Sequence, residues 1–150
     1  MNKLNAILIV IMMTFLNISY ANDVDDIKSV LQQQNKQWNQ GNIEGFMQGY
    51  WNNENLRFAS GKNITYGWQK TLDGYIKRYP DVSAMGQLTF ELLEVNVYTT
   101  DDNHQKTATV FGKWKLNYTD LDKTPNGLFT LIFKKFNEDW KIISDHTSSE

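Results

Sequence analysis

The stretch from Trp140 to Glu150 reads WKIISDHTSSE and sets a carboxylate, Asp145, beside an imidazole, His146. A neutral imidazole gives or takes a proton near pH 7, and a carboxylate can hold a hydrogen-bond donor or act as a base. The residues before the pair read as a strand. Side chains alternate across a strand, so Trp140, Ile142, Ser144, His146 and Ser148 share one face, and Ile143, Asp145 and Thr147 share the other. With Trp140 and Ile142 packed inward, His146 is expected to enter the interior. Asp145 is then expected to point away, as a structural acid bonding backbone or a partner subunit. Adjacent strand residues meet one ligand only where the strand is bulged. His146 and Asp145 therefore both stand as candidate ligand contacts.

The remaining candidates are aromatic. Trp114 follows Gly112 on one strand face, and the glycine leaves room for a bend. Tyr50, Trp51, Trp68, Tyr75 and Tyr79 gather around two helical segments. One or two of them are expected to offer a hydroxyl or indole group to a cavity, and the rest to pack as core. No metal site is expected, because the chain has two His and no Cys, and His104 sits in a solvated Asp-rich turn. Nor is a cofactor: no glycine-rich phosphate loop is present.

The elements that must position these residues follow from length and pattern. The chain has 150 residues. Lys3, the apolar run Ala6–Leu16 and the small residues before Asn22 read as a secretory signal peptide over residues 1–21. The mature chain would then be one domain, 22–150, exported to the periplasm or the medium, and off the membrane once cleaved. It would carry 14 basic against 17 acidic groups, too weakly charged to mark a nucleic-acid or membrane surface. Without cysteine, the core alone must hold an exported fold. Aromatic residues are 13% of the chain, with five Trp, in keeping with a lined cavity or an interface as much as with core.

Val24, Ile27, Val30, Leu31 and Trp38 recur at helical spacing, with Asp23 as the N-cap. Ile43, Phe46, Met47 and Tyr50 form a second helical face after Gly41-Asn42. A short hairpin is expected over LRFASGKNITYG, with its tip at Ser60–Asn63. A third helix runs from Trp68 to Tyr79, presents Leu72, Tyr75, Ile76 and Tyr79, and stops at Pro80. Strands follow. In the first, Leu88, Phe90 and Leu92 share one parity and Leu93, Val95 and Val97 the other, which places a bulge near Leu92-Leu93. In the next, Ala108, Val110, Gly112, Trp114 and Leu116 share a face. Apolar residues on both parities, Phe111, Phe129, Leu131, Phe133 and Ile143 among those assigned outward, point to a homodimer through the outer face.

Three helices followed by a long antiparallel sheet is an α+β order. On QGNIEGFMQGYW, ATVFGKWKL and GLFTLIFKKFNEDWKIISDHTS, the mature chain resembles the nuclear transport factor 2-like superfamily. It looks closest to its secreted polyketide-cyclase-like and ketosteroid-isomerase-like members. The resemblance implies a cone-shaped α+β fold, with three N-terminal helices on a curved antiparallel sheet, a pocket at the open end and a dimer through the outer sheet face. It also shows departures. The tyrosine and aspartate that the isomerase members use fall on Gln34 and near Phe58. Against the Asp-Arg-Asp set of the epoxide hydrolases, Arg57 is the arginine assigned to the pocket mouth, with no second inward acid.

Three functions follow in order. The first is an exported small-molecule-binding protein with an aromatic-lined pocket. The second is an isomerase, cyclase or hydrolase using His146 as the proton carrier. The third is a dimeric scaffold without a ligand.

Overall fold

The computed structural model describes residues 22–100, 104–119 and 124–149. The segment read as a signal peptide and the turn residues 101–103 lie outside the described residues. Residues 22–39 form α1, and Ile27, Leu31, Gln34 and Trp38 are its buried stripe. Their spacing of four, three and four is that of one helix face. Asn42 caps α2 (Ile43–Met47) by accepting from the Gly45 N–H at 2.8 Å. The hairpin is β1 (Arg57–Ser60) and β2 (Asn63–Tyr66), followed by α3 (Trp68–Arg78). Pro80 ends α3, but the Asp81 side chain accepts from the Ala84 N–H and starts a fourth helix, α4 (Val82–Met85), where three helices were expected. Four long strands follow: β3 (Gln87–Thr99), β4 (Lys106–Asn117), β5 (Asn126–Phe136) and β6 (Asp139–Thr147).

These make one curved, open sheet in the order β2-β1-β6-β5-β4-β3, with the helices packed against one face. Every neighbouring pair is antiparallel except β1 with β6, which is parallel. The hairpin therefore extends the sheet beside the chain's last strand, and brings Phe58 level with Asp145.

Two bulges set which side chains face the helices. In β3, Leu92 pairs with Gly112 and Glu94 with Phe111, so Leu93 is the extra residue. This is the bulge read from the parity switch. In β6, Ile142 pairs with Phe133 and Ser144 with Ile132, so Ile143 is extra. Beyond it the alternation is reversed. Trp140 and Ile142 face the helices before the bulge, whereas Asp145 and Thr147 do so after it.

The core lies between α1, α2 and the inner sheet face, where Trp140, Phe133, Ile27, Met47 and Val110 are fully buried. Phe129, Leu131 and Phe133, expected on the outer face, are buried on the inner one. Thr130 and Lys134 occupy the opposite parity of β5 and mark that side as outer. Phe111 and Ile143 do lie half-buried on the outer face, and Ile76, expected in the core, is exposed. Asp23 lies inside α1 rather than capping it. Its buried carboxylate pairs with Lys106 and, at 2.8 Å, with Lys135, and accepts from the Trp140 indole at 3.3 Å. One anion thus ties α1 to β4, β5 and β6. Burial pushes this carboxyl up, but the hydrogen bonds and charges of the two lysines outweigh it and hold it below its ordinary value.

Removing the Trp140 side chain empties a packed site, so Trp140→Ala is expected to cost about 3–5 kcal/mol. His146 is exposed. His146→Ala is expected to change stability by about 0.5 kcal/mol or less. Paired urea melts check both values; comparable losses would contradict the reversed alternation in β6.

Candidate functional site

The segment after α2 positions the first functional side chain. The Trp51 N–H donates to the Ile142 carbonyl at 2.9 Å, and the Ile142 N–H donates to the Gly49 carbonyl at 3.0 Å. Tyr50 is therefore held against β6 by backbone bonds on either side, one residue before the bulge. The bulge turns Asp145 inward, and the Tyr50 hydroxyl donates to Asp145 Oδ2 at 2.7 Å. Tyr50 and Asp145 are 4% and 5% exposed, so the pair is shut away from bulk water. Asp145 Oδ1 is buried and has no hydrogen-bond partner among the described residues. A buried acceptor left open costs free energy and is uncommon in a folded protein.

Asp145 lines a cavity of about 150 Å³ together with Trp38, Tyr50, Tyr75, Trp114 and Phe129. Cavities of about this size accept a benzene-sized molecule. The walls are held by ring contacts: Trp38 lies edge-on to Tyr79 with centroids 4.8 Å apart, and Phe46 edge-on to Tyr75 at 5.4 Å. The Trp38 indole donates to the carbonyls of Met85 and Gly86, and the Trp114 indole to that of Ser148. Both indoles therefore present faces rather than free N–H groups. A Cβ on Gly112 would stand 2.5 Å from the Phe129 ring and 2.6 Å from the Glu91 carbonyl oxygen. The glycine is thus the space that lets Phe129 form a wall.

Burial pushes the Asp145 carboxyl up to about 7, against the lowering effect of the Tyr50 hydrogen bond. Burial first, and then the Asp145 charge, push Tyr50 well above its ordinary value. Tyr75 is raised by burial and by Asp145 as well. At neutral pH the two hydroxyls are protonated donors, and the carboxyl exchanges its proton. Oδ1 can accept from a ligand when ionised and donate to it when neutral.

The candidate residues separate accordingly. Tyr50, Tyr75, Trp114 and Asp145 are brought together around the cavity. Trp51 stacks on Phe136 at 5.5 Å, and Trp68 donates its indole N–H to the Met47 carbonyl at 2.9 Å, so neither lines it. His146 pairs with Thr130 and Ala59 and is exposed on the outer face. The inward and outward assignments of His146 and Asp145 are thus exchanged, because Ile143 adds a residue that strict alternation does not count. Arg57 donates to Ser144 Oγ at 3.0 Å and lies away from the cavity. The arginine that lines it is Arg78, which sequence reasoning missed although it follows Tyr75 by three residues on α3. Gln34 and Phe58, the positions aligned with the isomerase residues, do line the cavity. Gln34 donates to the Phe46 carbonyl at 3.0 Å. Among the described residues no three His, Cys, Asp or Glu side chains stand close enough together to hold a metal ion.

A family model described as a SnoaL-like domain matches residues 27–149. No curated protein matches the chain. An NTF-2 like protein of unknown function from Shewanella oneidensis MR-1 is 40% identical, over 83% of this chain and 97% of its own, with a TM-score of 0.73. A ketosteroid isomerase-like protein from Erwinia carotovora atroseptica is 14% identical over 85% and 95% of the two chains, with a TM-score of 0.64. An NTF2-like superfamily protein from Salmonella enterica serovar Typhimurium is 13% identical over 86% and 92%, with a TM-score of 0.61. The last two likenesses concern the fold alone. Helices on a curved open sheet, an aromatic cavity between them and a matching family model over most of the length lead to one assignment: the chain belongs to the SnoaL-like family of the nuclear transport factor 2-like superfamily.

Proposed function

We propose that this protein binds a small, ring-bearing, partly apolar molecule in the aromatic cavity and holds a donor group of that molecule on Asp145. The observation that carries this reading is Asp145 Oδ1, buried and unpartnered in a cavity walled by rings. A ligand hydroxyl or N–H would satisfy it. The ring would replace poor water contacts with aromatic ones.

A second reading is favoured by the carboxyl's titration near 7. Asp145 would then act as the general base or acid of an isomerase- or cyclase-type proton transfer, with the Tyr50 hydroxyl stabilising its charge. This role falls to Asp145 because His146 stands outside the cavity.

The binding reading is tested with p-cresol and toluene, followed by quenching of the wall tryptophans. The wild type is expected to prefer p-cresol by about tenfold, the value of one buried hydrogen bond to a charged or polar group. Asp145→Leu is expected to abolish the preference while still admitting toluene. Equal affinity for the two probes in the wild type would overturn the reading.

The carboxyl also predicts a pH dependence. A raised folded value means that the native state binds the extra proton. The stabilising contribution is full below about pH 4, the ordinary carboxyl value, and is lost as pH rises through about 7. Relative to Asp145→Asn, the wild type is expected to lose roughly 2–3 kcal/mol between pH 5 and pH 8. Urea midpoints for both proteins at the two pH values measure this, and a constant gap would contradict it.

The outer sheet face supports a homodimer as part of the same proposal. Phe111, Ile132 and Ile143 are half-buried there, and Leu128 and Tyr98 are exposed. Light scattering at micromolar concentration is expected to give twice the mass of one chain; a monomer mass would count against the dimer.

A further inference from the structure

The aromatic cavity continues into a second recess of about 110 Å³ between α3 and the β1–β2 hairpin. The two share Phe58, Ser60, Tyr75 and Arg78 as lining. Their chemistry differs. The inner cavity is ringed by aromatic side chains and lined by the buried Asp145, whereas the outer recess is lined by Ser60, Asn63 and Lys70 and shares the exposed Arg78 with it.

Arg78 is exposed, and among the described residues no carboxylate pairs with it. Its position in the last turn of α3 suits a cation in any case, through the helix dipole. The dipole does not explain why it borders the cavity. Tyr75 and Arg78, three apart on one helix face, carry the wall from ring to guanidinium. Burial pushes the neighbouring Tyr79 hydroxyl up, and the Arg78 charge beside it offsets part of that rise. One planar guanidinium with free donors is suited to a carboxylate, which it can grip through two parallel bonds.

We infer that the ligand is a ring-bearing carboxylic acid, with its ring in the aromatic cavity, its donor group on Asp145 and its carboxylate on Arg78 in the adjoining recess. This rests on the binding reading and adds a substrate class and a specificity residue to it. The separation of the charges also orients the molecule. A carboxylate entering first would meet Asp145, and only the ring-first orientation places opposite charges together.

The probes are 3-(4-hydroxyphenyl)propanoate, its amide 3-(4-hydroxyphenyl)propanamide and 3-phenylpropanoate, measured by tryptophan quenching on the full chain. The wild type is expected to bind the hydroxylated acid about five- to tenfold more tightly than the amide, a preference that shrinks with added salt because Arg78 is exposed. Arg78→Gln is expected to remove the acid preference, by weakening the acid far more than the amide, and to keep the preference for the hydroxylated ring. Lys70→Gln, about two turns earlier on α3, is expected to reduce the preference by no more than about twofold. Equal binding of acid and amide by the wild type, or a preference that survives Arg78→Gln, overturns the inference alone. Loss of discrimination between 3-(4-hydroxyphenyl)propanoate and 3-phenylpropanoate in the wild type overturns the Asp145 reading instead. If none of the probes binds, both fall. Arg78→Gln is expected to melt like the wild type, since an exposed side chain is removed.

Discussion

One extra residue in the last strand decides which groups meet inside this fold. Ile143 has no partner of its own on β5, so every side chain beyond it is turned to the opposite face of the sheet. Without that insertion His146 would enter the interior and Asp145 would lie outside. With it, an acid is driven into an apolar enclosure. Among the described residues, the group that bonds it there is the Tyr50 hydroxyl, held in place by the backbone pairing of residues 49–51 with Ile142. Cavity, carboxyl and hydroxyl therefore depend on one local irregularity of the backbone.

Two buried aspartates show what each environment does. Asp23 meets two lysines and an indole N–H, and its charge is stabilised. It acts as a tie between α1 and three strands. Asp145 meets one hydroxyl and rings, and its charge is disfavoured. An ion left half-solvated by the protein destabilises the fold unless something else completes its shell. Partial satisfaction of this kind is a feature of sites rather than of scaffolds.

Much of the fold was legible because apolar residues record their environment. The stripe Ile27, Leu31 and Trp38, the cap Asn42, the stop at Pro80 and the shared face from Ala108 to Leu116 all follow from period and turn chemistry. The bulge at Leu93 was legible for the same reason: apolar residues stand on both sides of it, and their parity visibly changes. The bulge at Ile143 left no such mark. Beyond it β6 becomes polar, and Ser144, Asp145, His146 and Thr147 carry no hydrophobic record of which face they take. That silence cost the orientation of the two most reactive residues. Phe129, Leu131 and Phe133 were misassigned for a related reason, since β5 is apolar on both parities and only Thr130 and Lys134 distinguish them. The parallel pairing of β1 with β6 is a long-range event that no local pattern encodes, and Arg78 read simply as a helix-ending cation.

The backbone clasp around Ile142 separates the frame of this site from its reactive groups. Its two hydrogen bonds involve Gly49, Trp51 and Ile142 main-chain atoms and draw nothing from the side chain of residue 50. The position opposite the bulge is therefore a socket, in which the side chain can be exchanged while its location stays fixed. The same holds for residue 145, whose direction is set by the register of β6 and not by its carboxyl. A lineage carrying this scaffold could change one donor or one acid by single substitutions and alter the chemistry of the pocket without rebuilding its architecture. Divergence of activity on a shared fold then requires few steps, because the geometry is inherited through the main chain.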